Sequence, residues 1–183
     1  MTAPVIHICG WPGSGKATIG RVLARRMGGR LIENHLMIDP AAALFERGTP
    51  AFDNLRAAVR AAILDAAETL PPEISLIVTD ALAASEADRA LFAPTVTLAR
   101  SRGATLVAVT LEISADENRR RLLDPARSGR SKLQDPDVLD GLRHEHELLR
   151  PEGAVPLDVT TLSATEAAVA IERIAERAGA IAS

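Results

Sequence analysis

Gly10, Gly13 and Gly15, followed at once by Lys16 in GWPGSGK, are residues that together can hold a phosphate group. Glycines let a backbone curl until successive N–H groups point inward at one anion. A helix beginning near Gly15 turns its positive end toward that same anion, and Lys16 is placed to reach terminal phosphates. The spacing G-x-x-x-x-G-K, with Pro12, Ser14, Ala17 and Thr18 completing the segment, predicts a nucleotide-phosphate cradle. Ala17 stands where a Ser or Thr commonly gives its hydroxyl to Mg²⁺. Thr18 points about 100° further round the helix, toward the α-phosphate instead of the metal. Water can fill the place of the missing hydroxyl, so the expectation is weakened metal binding.

Three other stretches carry groups suited to phosphoryl transfer. Asp80 ends the apolar run ISLIVTD, from where a carboxylate can hold Mg²⁺ through water or touch a substrate; an Asp that merely terminates a strand is the alternative. ENHLMID offers Glu33, Asn34, His35 and Asp39 to an acceptor. Of these, His35 or Asp39 could orient an acceptor hydroxyl and take its proton. Asp39 before Pro40 could equally cap a helix, and His35 could satisfy a buried backbone group. Arg56 is a candidate contact for a polar or anionic acceptor, or a surface arginine. The segment ENRRRLLDPARSGRSKLQD brings Arg119, Arg120, Arg121, Arg127, Arg130 and Lys132. Arginine forks there could stabilise the charge that develops in transfer, with Arg127 best placed inside the loop and Arg120 on the helix before it. His144 and His146 would face about 200° apart on a helix and cannot share a metal. His7 and Cys9 are too few ligands for a zinc site.

These residues need a scaffold, and the hydrophobic pattern supplies one. Short apolar runs at 4–10, 30–33, 74–80, 104–112 and 155–160 read as strands. Between them, three- and four-residue periodicity predicts helices from 15 to the GG at 28–29, over 38–47, 53–70 and 86–102, from Ser114 to about 123, over 136–149 and over 164–178. Ser114 with Glu117 forms a capping-box pattern. Alternating strands and helices call for a parallel sheet covered on both faces, with ligands beyond the carboxyl ends of the strands. The basic loop over about 124–135, with its Pro and Gly, predicts a lid within a single domain spanning 1–183.

Composition narrows the partners. The 183 residues suffice for one core, with 47% hydrophobic and 25% charged residues. A net charge of −3, no Tyr, one Trp and three Phe argue against nucleic acid as the main partner. No run is long enough to span a membrane, the N-terminal residues lack a signal-peptide pattern, and one cysteine suits a reducing compartment. The expectation is a cytoplasmic protein, monomer or homodimer, acting on a small molecule.

GWPGSGKATIGRVLARRMGG, the polar residues after the second strand, LIVTD, and the arginine-bearing loop before a last strand and helix resemble the nucleoside-monophosphate-kinase-like group of P-loop kinases. Within that group the chain is similar to shikimate kinase and to antibiotic-phosphorylating or antibiotic-resistance members such as chloramphenicol phosphotransferase. NHLMIDPAAALF also looks like a stretch of bacterial ATP-binding proteins described as shikimate-kinase-like. The resemblance implies the three-layer α/β sandwich of P-loop NTPases, with a five-stranded parallel sheet in order 2-3-1-4-5 and a small helical lid. It implies ATP with Mg²⁺ and transfer of the γ-phosphate to a hydroxyl. By position, Lys16 would bind the β- and γ-phosphates, Arg127 would be the lid arginine and Arg56 the acceptor-binding arginine. The segment 160–164 would lie near the adenine. Asn34-His35 in place of two acidic residues, and TDALAAS in place of a glycine run, speak against shikimate itself as acceptor. Ala17 departs from the whole group and keeps open a nucleotide-binding regulatory protein with little turnover.

Overall fold

The computed structural model describes residues 2–125 and 132–181. Five strands, β1 (Val5–Cys9), β2 (Arg30–Ile32), β3 (Leu76–Asp80), β4 (Leu106–Glu112) and β5 (Val155–Asp158), form one sheet in order β2-β3-β1-β4-β5. All the pairings are parallel. β1 and β3 are buried at every position, as two-sided burial of a central parallel strand requires. The helices are α1 (Lys16–Arg26), α2 (His35–Leu44), α3 (Pro50–Glu68), α4 (Glu86–Ser101), α5 (Ala115–Leu122), α6 (Pro136–Glu145) and α7 (Ala164–Ile181). The expected P-loop topology and the two covered faces are present.

Alternation along β1 divides the core. Ile6 and Ile8 point to one face and are sealed by Ile19 and Leu23 of α1 and by Ala167, Ala168 and Ile171 of α7. Val5 points to the other, among Leu64 of α3 and Leu98 of α4. Each such fully buried aliphatic side chain contributes about 1.5–3 kcal/mol. Arg102, just past α4, donates to the carbonyls of Ala67, Leu70, Pro71 and Ile74 at 2.7–3.2 Å. It thereby ties down the turn that follows α3.

Register sets what meets at the carboxyl edge. Cys9 lies beside Asp80 on β3, and Ile32 lies beside Val78. The loop after β1, the start of α2 and the segment after β4 therefore open at one edge of the sheet. The end of α2, the start of α3 and the end of α7 each lie three residues from the expected bound, and two further differences bear on the site. α2 begins at His35, three residues before the expected start, so Asp39 lies inside the helix instead of capping it. Pro40 is accommodated because the carbonyl it leaves without a donor belongs to Leu36, which is exposed. α6 stops at Glu145, because residues 147–149 turn to pair with 82–84: Ala84 donates to Glu147 at 2.8 Å and Leu149 to Leu82 at 2.9 Å. No helix among the described residues is long and apolar enough to cross a membrane. Arg127, Arg130 and most of the expected lid lie outside the described residues.

Candidate active site

The cradle is shaped by its own backbone and held from behind. Gly10 N–H donates to the carbonyl of Asp80 at 3.1 Å, and Ser14 N–H to that of Trp11 at 3.0 Å. Gly13 and Gly15 have φ of 85° and 88°, the left-handed region that an L side chain resists. Gly13 has a second reason to be glycine, since a Cβ there would lie 2.7 Å from Asn118 Nδ2. That amide donates to the Pro12 carbonyl at 2.8 Å, while Asn118 Oδ1 accepts from Arg143 Nη1 at 2.9 Å. The helices on either side of the basic segment thus buttress the cradle, a contact that no local pattern announces. Pro12 and Ser14 shape the loop and do not line its cavity; Ser14 is wholly buried, its Oγ against Gly10.

Gly15 begins α1 with no side chain capping the helix and no acidic residue in its first turn. The amino end of α1 therefore faces the cavity with its dipole unopposed. Lys16 Nζ donates to the Trp11 carbonyl at 3.2 Å, folded over the loop it serves. The cavity holds about 500 Å³ and is lined by Gly13, Gly15, Lys16, Ala17 and Thr18, by Asn34 and His35, and by Arg120, Arg121 and Lys132. The sequence thus placed most of its candidates around one space.

Arg121 is the residue the sequence undervalued. Its Nη2 donates to the carbonyls of Val159, Thr160 and Leu162 at 2.8–3.3 Å, and its Nε to Glu117 at 2.6 Å. Its Nη1 lies 3.6 Å from where a Cβ on Gly15 would sit. Arg121 is thus fixed over the cradle, whereas Arg120, 68% exposed, bonds only Glu117 among the described residues. Arg119 turns away to pair with Asp140. Only the three-dimensional position of the loop after β5 separates these neighbouring arginines.

On the opposite wall, His35 Nδ1 lies 3.3 Å from Asp39 Oδ1, one helical turn on. Burial pushes the imidazole below its ordinary value of 6.5, and Asp39 opposes that shift without cancelling it. His35 also lines an adjoining pocket with Glu33 and Asp39. Asn34 Oδ1 is buried with no hydrogen-bond partner among the described residues. Asn34 lines the cavity, but this atom has no accessible surface there.

Asp80 and Arg56 lie apart from the cavity wall. Asp80 is fully buried and sealed in a network: Arg60 Nη1 and Nη2 each donate to one of its oxygens at 2.9 Å, and His7 Nε2 lies 3.1 Å from Oδ2. Burial alone would raise its pKa, but the His7 contact and the Arg60 charge pull it down to about 2. Asp80 lines no part of the cavity. Arg56 also lies outside the cavity wall, half-buried on α3, its pKa lowered by that burial. Arg60, one turn on, makes the buried structural contact with the Asp80 carboxylate. Its signal was an arginine at helical spacing with the buried Phe52, Leu64 and Ala67.

The side chains do not fit a protein-held Mg²⁺ of the expected kind. Position 17 offers a methyl group, both Asp80 oxygens are taken, and no cluster of three metal-binding side chains exists among the described residues. The geometry therefore does not support the water-mediated metal site expected at Asp80.

Comparison with known proteins places this geometry. The family model AAA_33, an AAA domain, matches residues 5–149, well over half of the chain. A shikimate kinase of Corynebacterium glutamicum is 40% identical over 63 residues, a stretch covering 31% of this chain and 37% of that protein. The match thus spans little more than a third of that relative's length. A gluconokinase structure from Sinorhizobium meliloti superposes with a TM-score of 0.63 at 24% identity, covering 96% of this chain and 95% of that one. The APS kinase of Mycobacterium tuberculosis, in complex with AMPPNP and APS, superposes with a TM-score of 0.62 at 15% identity, covering 96% and 98%. At these identities the structural likeness is one of fold.

Proposed function

This chain belongs to the AAA domain family AAA_33, within the P-loop kinase group, and on that premise we propose that it transfers the γ-phosphate of ATP to a hydroxyl of a small-molecule acceptor. The observation that supports this most is that Lys16 and His35 line one cavity, with His35 oriented by Asp39. Donating Nδ1–H to Asp39 makes Nε2 the proton-accepting nitrogen. Burial keeps the ring neutral at neutral pH, the form a general base needs. The backbone of 13–15 and Lys16 would cradle the β- and γ-phosphates, Thr18 the α-phosphate, and the loop over 160–164 the base. Arg121, with Arg120 and Lys132, would stabilise charge on the transferring group. Arg127 keeps its proposed lid role by sequence position.

The acceptor in this reading is a small hydroxylated molecule, whose hydroxyl supplies the nucleophile beside His35. ATP consumption in the presence of a panel of small hydroxylated compounds tests the reading. Stimulation by one of them, abolished in Lys16→Ala with the fold retained, is expected; normal turnover in Lys16→Ala overturns it. Ala17 and the sealed Asp80 favour a second reading, a nucleotide-binding regulatory protein. ATP binding without any acceptor-stimulated consumption would select it.

A further inference from the structure

We propose that this chain binds its nucleotide without help from Mg²⁺, side-chain cations taking the place of the metal at the phosphates. The inference rests on the reading that the cradle over 10–18 holds a nucleotide, and it deepens that reading. In the usual arrangement, bound Mg²⁺ tightens binding because the protein holds the metal as well as the phosphates. Here the hydroxyl that would face it is replaced by the Ala17 methyl group at the cavity wall. The carboxylate that would hold its waters, Asp80, has one oxygen on each Arg60 nitrogen at 2.9 Å and no exposed surface. Turning Asp80 toward the cavity would leave Arg60, itself 2% exposed, charged and unpaired. Both protein contacts with the metal are therefore lost together, for independent reasons.

Charge points the same way. Lys16, Arg21, Arg120, Arg121 and Lys132 line the cavity against Glu33 and Asp124. Glu33 pairs with Arg21, and Glu117 lies behind Arg120 and Arg121, so a surplus of positive charge still faces the phosphates. Free ATP carries two more negative charges than its Mg²⁺ complex and gains more from that surplus. A metal ion that gains no protein ligand and screens the phosphates from Lys16 and Arg121 brings no net affinity.

Trp11 meets Lys16 through its carbonyl while its side chain packs against the cluster of Cys9, Leu82 and Phe92, so binding is read by heat and not by fluorescence. ATP is titrated calorimetrically into the full chain in EDTA and again in excess Mg²⁺. Dissociation constants within about twofold, or tighter binding in EDTA, are expected. Ala17→Thr should then create a metal dependence, with Mg²⁺ tightening ATP several-fold. A tenfold or greater tightening by Mg²⁺ in the native chain overturns the proposal whatever the variant does. Absence of ATP binding in both buffers overturns the cradle reading itself, and is thereby distinguished from failure of the metal inference alone.

Discussion

Two acidic groups at the carboxyl edge of the sheet, Asp80 and Asp39, have opposite fates. Asp80 ends a central strand and has no exposed surface, locked between Arg60 and His7. Asp39 sits on the first turns of α2, its side chain 54% exposed, holding one nitrogen of a cavity-lining histidine. From sequence both were candidates for the same chemistry. The difference shows that a carboxylate at a strand end takes its role from what the next helices bring to it. α3 brings a buried arginine to Asp80 and consumes it, whereas α2 brings His35 to Asp39 and leaves the imidazole facing the cavity.

Breaking the sealed side should cost most. Arg60→Met leaves Asp80 charged and without its fork, and the expected destabilisation is about 3–5 kcal/mol in denaturant unfolding. Replacing both partners with apolar residues of similar volume should recover most of that loss. If Arg60→Met alone unfolds like the native chain, Asp80 is not held as described, and its exclusion from metal binding loses its ground.

The open side should respond in catalysis and leave stability nearly untouched. His35→Gln should lower acceptor-dependent turnover by about 10²–10⁴-fold while ATP still binds. A loss of ATP affinity equal to the loss in turnover would instead assign His35 to the nucleotide. Arg121→Lys should weaken ATP by roughly tenfold, the equivalent of one charge-assisted hydrogen bond at about 1.5 kcal/mol. Lysine cannot grip the Val159, Thr160 and Leu162 carbonyls and lean over Gly15 at once. Arg120→Lys, at an exposed position, should do less.

The same contrast explains what could be read in advance. The cradle is a property of contiguous residues, because Gly13, Gly15 and Lys16 act through local backbone geometry, and so its position was legible. The parallel sheet followed from apolar strands alternating with amphipathic helices, whereas its strand order came from the resemblance to P-loop kinases. What stayed hidden depends on residues far apart in the chain: Asp80 on Arg60, Pro12 on Asn118 and through it on Arg143, Arg121 on the loop after β5. The start of α2 was misplaced because Pro40 reads locally as a helix beginning. Its real tolerance comes from its place one turn into α2, where the carbonyl left without a donor belongs to the exposed residue Leu36.

Acid sharpens the comparison with the smallest effects. His35 has a folded value below its ordinary 6.5, so the folded protein takes up its proton later than the unfolded chain does. Stability from this group is intact above about pH 6.5 and declines as pH falls below it. Asp80 has the same sign in a lower range: with a folded value of about 2 against 3.8, its contribution is whole above 3.8 and is lost as pH falls toward 2. Turnover, if His35 is the base, should keep its neutral-pH rate to below pH 6.5 before the acid limb begins. Asp39 pulls the His35 value upward, so Asp39→Asn should move that limb to still lower pH even as it slows the reaction. A limb that moves upward in Asp39→Asn, or does not move, would separate the two residues and leave His35 without its orienting partner. The unfolding transition near pH 3 should be the same in that variant, because Asp80 answers to Arg60 and His7 and not to Asp39.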